Sequence, residues 1–108
     1  MFVKKKITWN EMISSYITHP RDVKTVPLNG TGRWFYVYVE DGNIYVENAQ
    51  YHSFSSRING RRALEKDKME DILSLYFRRK KGESISQEAT DATKNQVYWY
   101  GIFADMCI

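Results

Sequence analysis

One cysteine, two prolines and two histidines among 108 residues already exclude several kinds of protein. A lone Cys107 rules out a disulfide within these residues and a thiolate metal cluster, and no local cation or helix start accompanies it to activate the thiol. His19 and His52 share no H-x-x-x-H or H-x-E spacing, and two histidines by themselves make no common zinc site, so neither a metal nor a cofactor is expected. Nucleophile elbow, P-loop and G-x-G-x-x-G are all missing. Catalysis is left with His52 as a general base beside a carboxylate such as Glu47, and a hydrogen-bonded structural histidine accounts for His52 more simply.

No apolar run approaches the roughly 18 residues of a membrane span. Lys4-Lys5-Lys6 carries the charge of a signal-peptide start, but Trp9-Asn10-Glu11 stands where the apolar stretch belongs. The expectation is a cytoplasmic protein without a membrane partner. Linkers rich in Pro, Gly or Ser, repeats and low-complexity tracts are absent too, and residues 1–108 read as a single domain.

What the chain does have is rings and unevenly placed charge. With 43% hydrophobic and 15% aromatic residues it is too apolar for a disordered tail. The formal charge is +3, yet residues 1–25 carry +3, 26–56 carry −2, 57–81 carry +5 and 82–108 carry −3.

Local chemistry gives the elements. Thr8-Trp9-Asn10-Glu11 is a capping box, Ile7 can staple onto Met12, and Trp9, Met12, Ile13, Tyr16 and Ile17 share one helical face, which predicts a helix over 9–18. Lys4 to Lys6 read as a solvated arm before it. Residues 23–28 read as a short edge strand, because Pro27 is tolerated only at an edge. Residues 33–39 and 43–47 then flank Asp41-Gly42, the pair that supplies the positive φ of a type I′ hairpin turn. A two-residue loop sets the register: Val39 faces Ile44, Val37 faces Val46 and Phe35 faces Asn48 on one side, while Tyr38 faces Tyr45, Tyr36 faces Glu47 and Trp34 faces Ala49 on the other. The first side is aliphatic and reads as core. The second is aromatic and needs an explanation.

Residues 50–58, with Tyr51, His52 and Phe54 as anchors, read as a third antiparallel strand ending at Asn59-Gly60. A helix carrying Leu64, Met69, Ile72, Leu73 and Tyr76 on one stripe follows and stops at Gly82. Ser84-x-x-Gln87 then caps a helix running to about Lys94. The segment 96–104 fits both strand and helix, and its β-branched and aromatic content favours strand. The predicted order is α-β-β-β-α-α-β, a small antiparallel sheet centred on the Asp41-Gly42 hairpin with helices packed on one face, which is α+β.

Two sets of residues are candidates for function. Trp34, Tyr36, Tyr38 and Tyr45 resemble the aromatic platforms on which single-stranded nucleic acids stack, at about 1–3 kcal/mol per base. The plainer account makes this face a second core, covered by Tyr98-Trp99-Tyr100 or by another subunit. Arg78, Arg79, Lys80 and Lys81 look like a nucleic-acid patch but also sit in a last helical turn, where the dipole favours cations. Arg61 and Arg62 fall at the start of that helix, where the dipole disfavours them and a bound phosphate would account for them; pairing with Glu65 and Asp67 is the local alternative. The leading expectation is a small non-enzymatic binding module for nucleic acid. Its rival is a homodimeric or small-ligand-binding protein that uses the aromatic face.

Overall fold

In the computed structural model, which describes residues 6–108, the first helix begins where the capping box places it. The hydroxyl of Thr8 accepts from the amide of Glu11, and a Glu11 carboxylate oxygen accepts from the amide of Thr8. Helix α1 spans Trp9–Thr18 and buries Trp9, Met12 and Tyr16. Lys4 and Lys5 of the basic arm lie outside the described residues, and Lys6 is exposed.

Four strands follow, β1 (Arg21–Lys24), β2 (Trp34–Glu40), β3 (Asn43–Asn48) and β4 (Arg62–Ala63), ordered β1-β2-β3-β4 and antiparallel throughout. The β2–β3 register is the expected one, with Val39 opposite Ile44, Val37 opposite Val46 and Tyr38 opposite Tyr45. Its turn residues have φ of 51° at Asp41 and 76° at Gly42, as a type I′ turn requires. The pleat sends alternate side chains to opposite faces. Phe35, Val37, Ile44 and Val46 are therefore fully buried on one side.

The helices pack on that side. Helix α2 (Met69–Lys80) contributes Met69, Ile72, Leu75 and Tyr76 to the core and ends at Gly82, whose φ of 90° lets the Gly82 and Glu83 amides turn back onto the Arg79 and Arg78 carbonyls. Helix α3 (Ser86–Ala92) buries Ala89, and helix α4 (Gln96–Asp105) buries six successive residues from Tyr98 to Phe103. Trp99, Tyr16, Phe35 and Phe103 are among the largest fully buried side chains, each stabilising by about 1.5–3 kcal/mol through loss of wet apolar surface. The architecture is α+β. Among the described residues no helix is long and apolar enough to cross a membrane.

The structure corrects five sequence expectations. The edge strand is β1 at Arg21–Lys24 rather than 23–28, and Pro27 lies outside it. Segment 96–104 is helix, not strand: its six successive buried residues, Tyr98 to Phe103, leave no polar stripe there, so its composition mimics a buried strand. Residues 50–58 are irregular, apart from one parallel bridge between Trp34 and Ser55, because side chains engage their amides: Asp22 accepts from Gln50, Tyr51 and His52, and Asn48 accepts from Ile58 at 2.7 Å. The strand beside β3 is instead β4, so Arg62 lies in the sheet and Arg61 just before it, while α2 starts at Met69 after a single 3₁₀ turn at Lys66–Lys68. The Ser84 cap does not form, since α3 begins at Ser86 behind Ile85 with no side-chain cap.

Two substitutions test this arrangement. Gly42→Val forces a β-branched side chain into the left-handed region and should destabilise by about 1–2 kcal/mol, read as a lower urea midpoint. At Gly101 an added Cβ would lie 2.9 Å from the Lys24 carbonyl oxygen and 3.0 Å from the Phe35 ring. Gly101→Ala gains about 1 kcal/mol of helix propensity but loses about 1–3 kcal/mol to crowding, so the melting temperature should fall.

Candidate functional site

The face of the sheet opposite the core carries the aromatic residues. Cross-strand pairing puts Asp22 beside Tyr36, Lys24 beside Trp34, and Tyr38 beside Tyr45. The Tyr36 and Tyr38 rings lie 5.7 Å apart at 29°, and those of Tyr38 and Tyr45 lie 5.7 Å apart at 26°. Tyr51 closes one end edge-on to Tyr36 at 6.2 Å, and the guanidinium of Arg61 closes the other, 3.9 Å above Tyr45. Arg61 also donates to the Tyr38 hydroxyl at 3.3 Å and pairs with Glu40, contacts that hold its pKa above the ordinary arginine value. Trp34 stacks on the His52 imidazole, 3.6 Å apart and 12° from parallel, with the Lys24 ammonium 5.7 Å from the indole.

The 50–52 loop covers part of this face, burying Asp22 and stacking His52 on Trp34, and leaves the rest open. Trp34, Tyr36, Tyr38 and Tyr45 are each partly exposed, and beside them Tyr51 and Phe54 are 77% and 79% exposed. The expectation that Tyr98-Trp99-Tyr100 covers it is overturned, because α4 packs on the other face, with the rings of Tyr98 and Phe35 5.1 Å apart. Phe54 also has a φ of 63°, a left-handed conformation that is costly for a bulky residue.

Asp22 holds the 49–58 loop against the sheet. Its buried carboxylate accepts from the amides of Gln50, Tyr51 and His52 at 2.8–2.9 Å and from the His52 ring Nδ1–H at 2.9 Å. Burial pushes its pKa up, but the amide of Gln50, the His52 ring and the amides of Tyr51 and His52 outweigh that, and the carboxyl sits below its ordinary value. The loop carbonyl of Phe54 and amide of Ser56 meanwhile bond the backbone of Trp34.

The basic residues singled out from sequence do not join this face, Arg61 excepted. Arg62 donates to Asn95 at 3.3 Å and lies 5.9 Å from the Tyr98 ring, on the core side. Glu65 is not its partner either; it accepts from Asn95, Trp99 and Thr93, whose bonds outweigh burial and lower its pKa. Arg78 pairs bidentately with Glu88 and also with Glu83. Arg79 donates to the Val26 carbonyl and lies 4.9 Å over Tyr100, while Lys80 donates to the Ile108 carbonyl at 3.1 Å. Lys81 is exposed at the helix end. Sequence reasoning missed Asp22, Lys24 and the presenting loop; the Ser- and Asn-rich run 48–59 was the available signal.

No family model, curated protein or solved structure matches this chain.

Because Asp22's pKa is lowered on folding, its contribution to stability is present above the unfolded value of about 3.9 and is lost as pH falls through the folded value. As pH falls through that lowered value the loop should detach, read as a change in tryptophan emission and faster exchange of the 50–52 amides. Asp22→Asn should produce the same exchange at neutral pH and destabilise by about 1.5–3 kcal/mol.

Proposed function

We propose that the protein is a binding module whose aromatic sheet face joins two copies of the chain. The observation that carries the reading is a row of partly exposed rings, Tyr36, Tyr38 and Tyr45, flanked by Trp34 and the exposed Tyr51, on a sheet whose other side is already the core. Tyrosine, tryptophan and arginine are the residues that dominate the centres of protein interfaces.

Charge and ring geometry favour a second copy over a nucleic acid. Lys24 and Arg61 stand beside Asp22, Glu40 and Glu47, so the face is near neutral and can meet itself without repulsion. A phosphate-tracking groove needs unpaired cations, and Arg61 is held by Glu40. Bases also need free ring faces. Tyr38 stacks against Tyr36 and Tyr45, Tyr45 is capped by Arg61, and Trp34 is stacked on His52.

Sedimentation of wild type, Tyr51→Glu and Trp34→Gln tests this. At about 25 cal/mol per Å², removing about 100 Å² of ring from each copy weakens a dimer by about 5 kcal/mol, a loss of more than a thousandfold in affinity. Wild type should sediment as a dimer at micromolar concentration, with both variants monomeric and Tyr51→Glu still cooperatively folded, its melting temperature matching that of wild type diluted to monomer. A monomeric wild type that binds random oligonucleotides with a steep salt dependence would instead establish the nucleic-acid reading.

A further inference from the structure

Antiparallel pairing brings the end of β1, the start of β2 and the end of β3 to one end of the sheet, where the 25–33 and 49–61 loops lie. The arginines of the chain divide there. Of the seven, Arg21, Arg61, Arg62, Arg78 and Arg79 each donate to an acceptor within the fold. The guanidiniums of Arg33 and Arg57 are exposed and donate to nothing among the described residues.

Both belong to this end of the sheet. Arg33 precedes Trp34, whose backbone bonds the Phe54 carbonyl and the Ser56 amide, and Arg57 follows Ser56. Lys24, exposed and without an ion pair among the described residues, stands opposite Trp34 on β1. Residues 23–39 and 48–64 contain no Asp or Glu, and Asp22, two residues before Lys24, is buried and occupied by the 50–52 amides. The three cations therefore face water without an acid from their own loops to offset them.

Apolar side chains project from the same two loops. Phe54, Tyr51 and Leu28, at 79%, 77% and 74%, are the most exposed large hydrophobic residues among those described. Phe54 also holds a φ of 63°, which bulky residues seldom adopt. Apolar tips ringed by free cations suit a boundary that is anionic outside and apolar within, since rings and leucines enter the acyl boundary while Lys and Arg draw on anionic head groups. A polynucleotide or an acidic protein surface would use the cations but leave Leu28 in water. The expectation of no membrane partner rested on the lack of a spanning segment, and a surface contact needs none. We propose that this end of the sheet docks on an anionic lipid surface, with Phe54 and Leu28 inserted and Arg33, Arg57 and Lys24 on the head groups.

Cosedimentation of the full chain with phosphatidylcholine vesicles, with and without about 30% phosphatidylserine, tests this at roughly 50 mM salt, where screening is weak. Binding to the anionic vesicles alone is expected, and it should weaken as salt rises. Replacing Arg33 and Arg57 together by Gln should weaken it about 25-fold, because each cation near such a surface contributes about fivefold. Phe54→Asn removes the ring but tolerates the left-handed backbone, so it should leave the melting temperature unchanged while weakening vesicle binding at least about tenfold. The proposal is overturned if the chain ignores anionic vesicles at that salt, if neutral vesicles bind it equally well, or if either variant binds as wild type does. A lower melting temperature for Phe54→Asn overturns it as well, since the ring would then be packed within the fold. A random oligonucleotide bound more tightly than the vesicles, through the same two arginines, would overturn it too and assign the cations to nucleic acid. The row of stacked tyrosines takes no part in this surface, so these outcomes stand whether or not two copies join.

Discussion

The two-residue turn at Asp41-Gly42 fixes which side of the sheet every neighbouring residue occupies. A slip of one position in the β2–β3 register would exchange Phe35, Val37, Ile44 and Val46 for Trp34, Tyr36, Tyr38 and Tyr45, because the side-chain period of a strand is two. The helices could not then pack as they do, since Phe35 is the ring that both Tyr98 and Gly101 approach. Core and aromatic face are thus one decision taken at a turn where backbone sterics admit few residues.

Asp22 is the second organiser, and it acts on the side away from the core. A strand would have satisfied the amides of residues 50–52 with carbonyls; here a single buried carboxylate receives all three, together with the His52 ring. Releasing the segment from ladder pairing lets it fold over the sheet edge, stack His52 on Trp34, set Tyr51 against Tyr36 and project Phe54 outward. The result is an aromatic surface broader than the hairpin alone, with its charges locally balanced.

The basic segment 57–81 shows how a composition signal can dissolve in three dimensions. Its arginines and lysines are adjacent in sequence, but a helix turns successive residues by about 100°, so Arg78, Arg79 and Lys80 depart toward α3, the 25–29 connection and the backbone of Ile108. Each meets an acceptor from elsewhere in the chain. The local net charge of +5 therefore overstates the positive surface available to a polyanion.

Helix α1 and the hairpin register were legible in the chain alone because the groups that determine them are neighbours: Thr8 with Glu11, and the strands on either side of Asp41-Gly42. The aromatic face was legible as a consequence, down to Trp34, Tyr36, Tyr38 and Tyr45. What covered or flanked that face was not. Segment 96–105 is a helix whose middle, Tyr98 to Phe103, is buried all round, which erases the polar stripe that marks most helices. Residues 50–58 stayed out of the sheet because their amides found Asp22, some 30 residues away, and Asn48. Arg62 lies on the core side because β4 sets it opposite Val46, and Arg61, just before that strand, reaches the aromatic ladder; both placements exist only once β3 offers an edge to pair with.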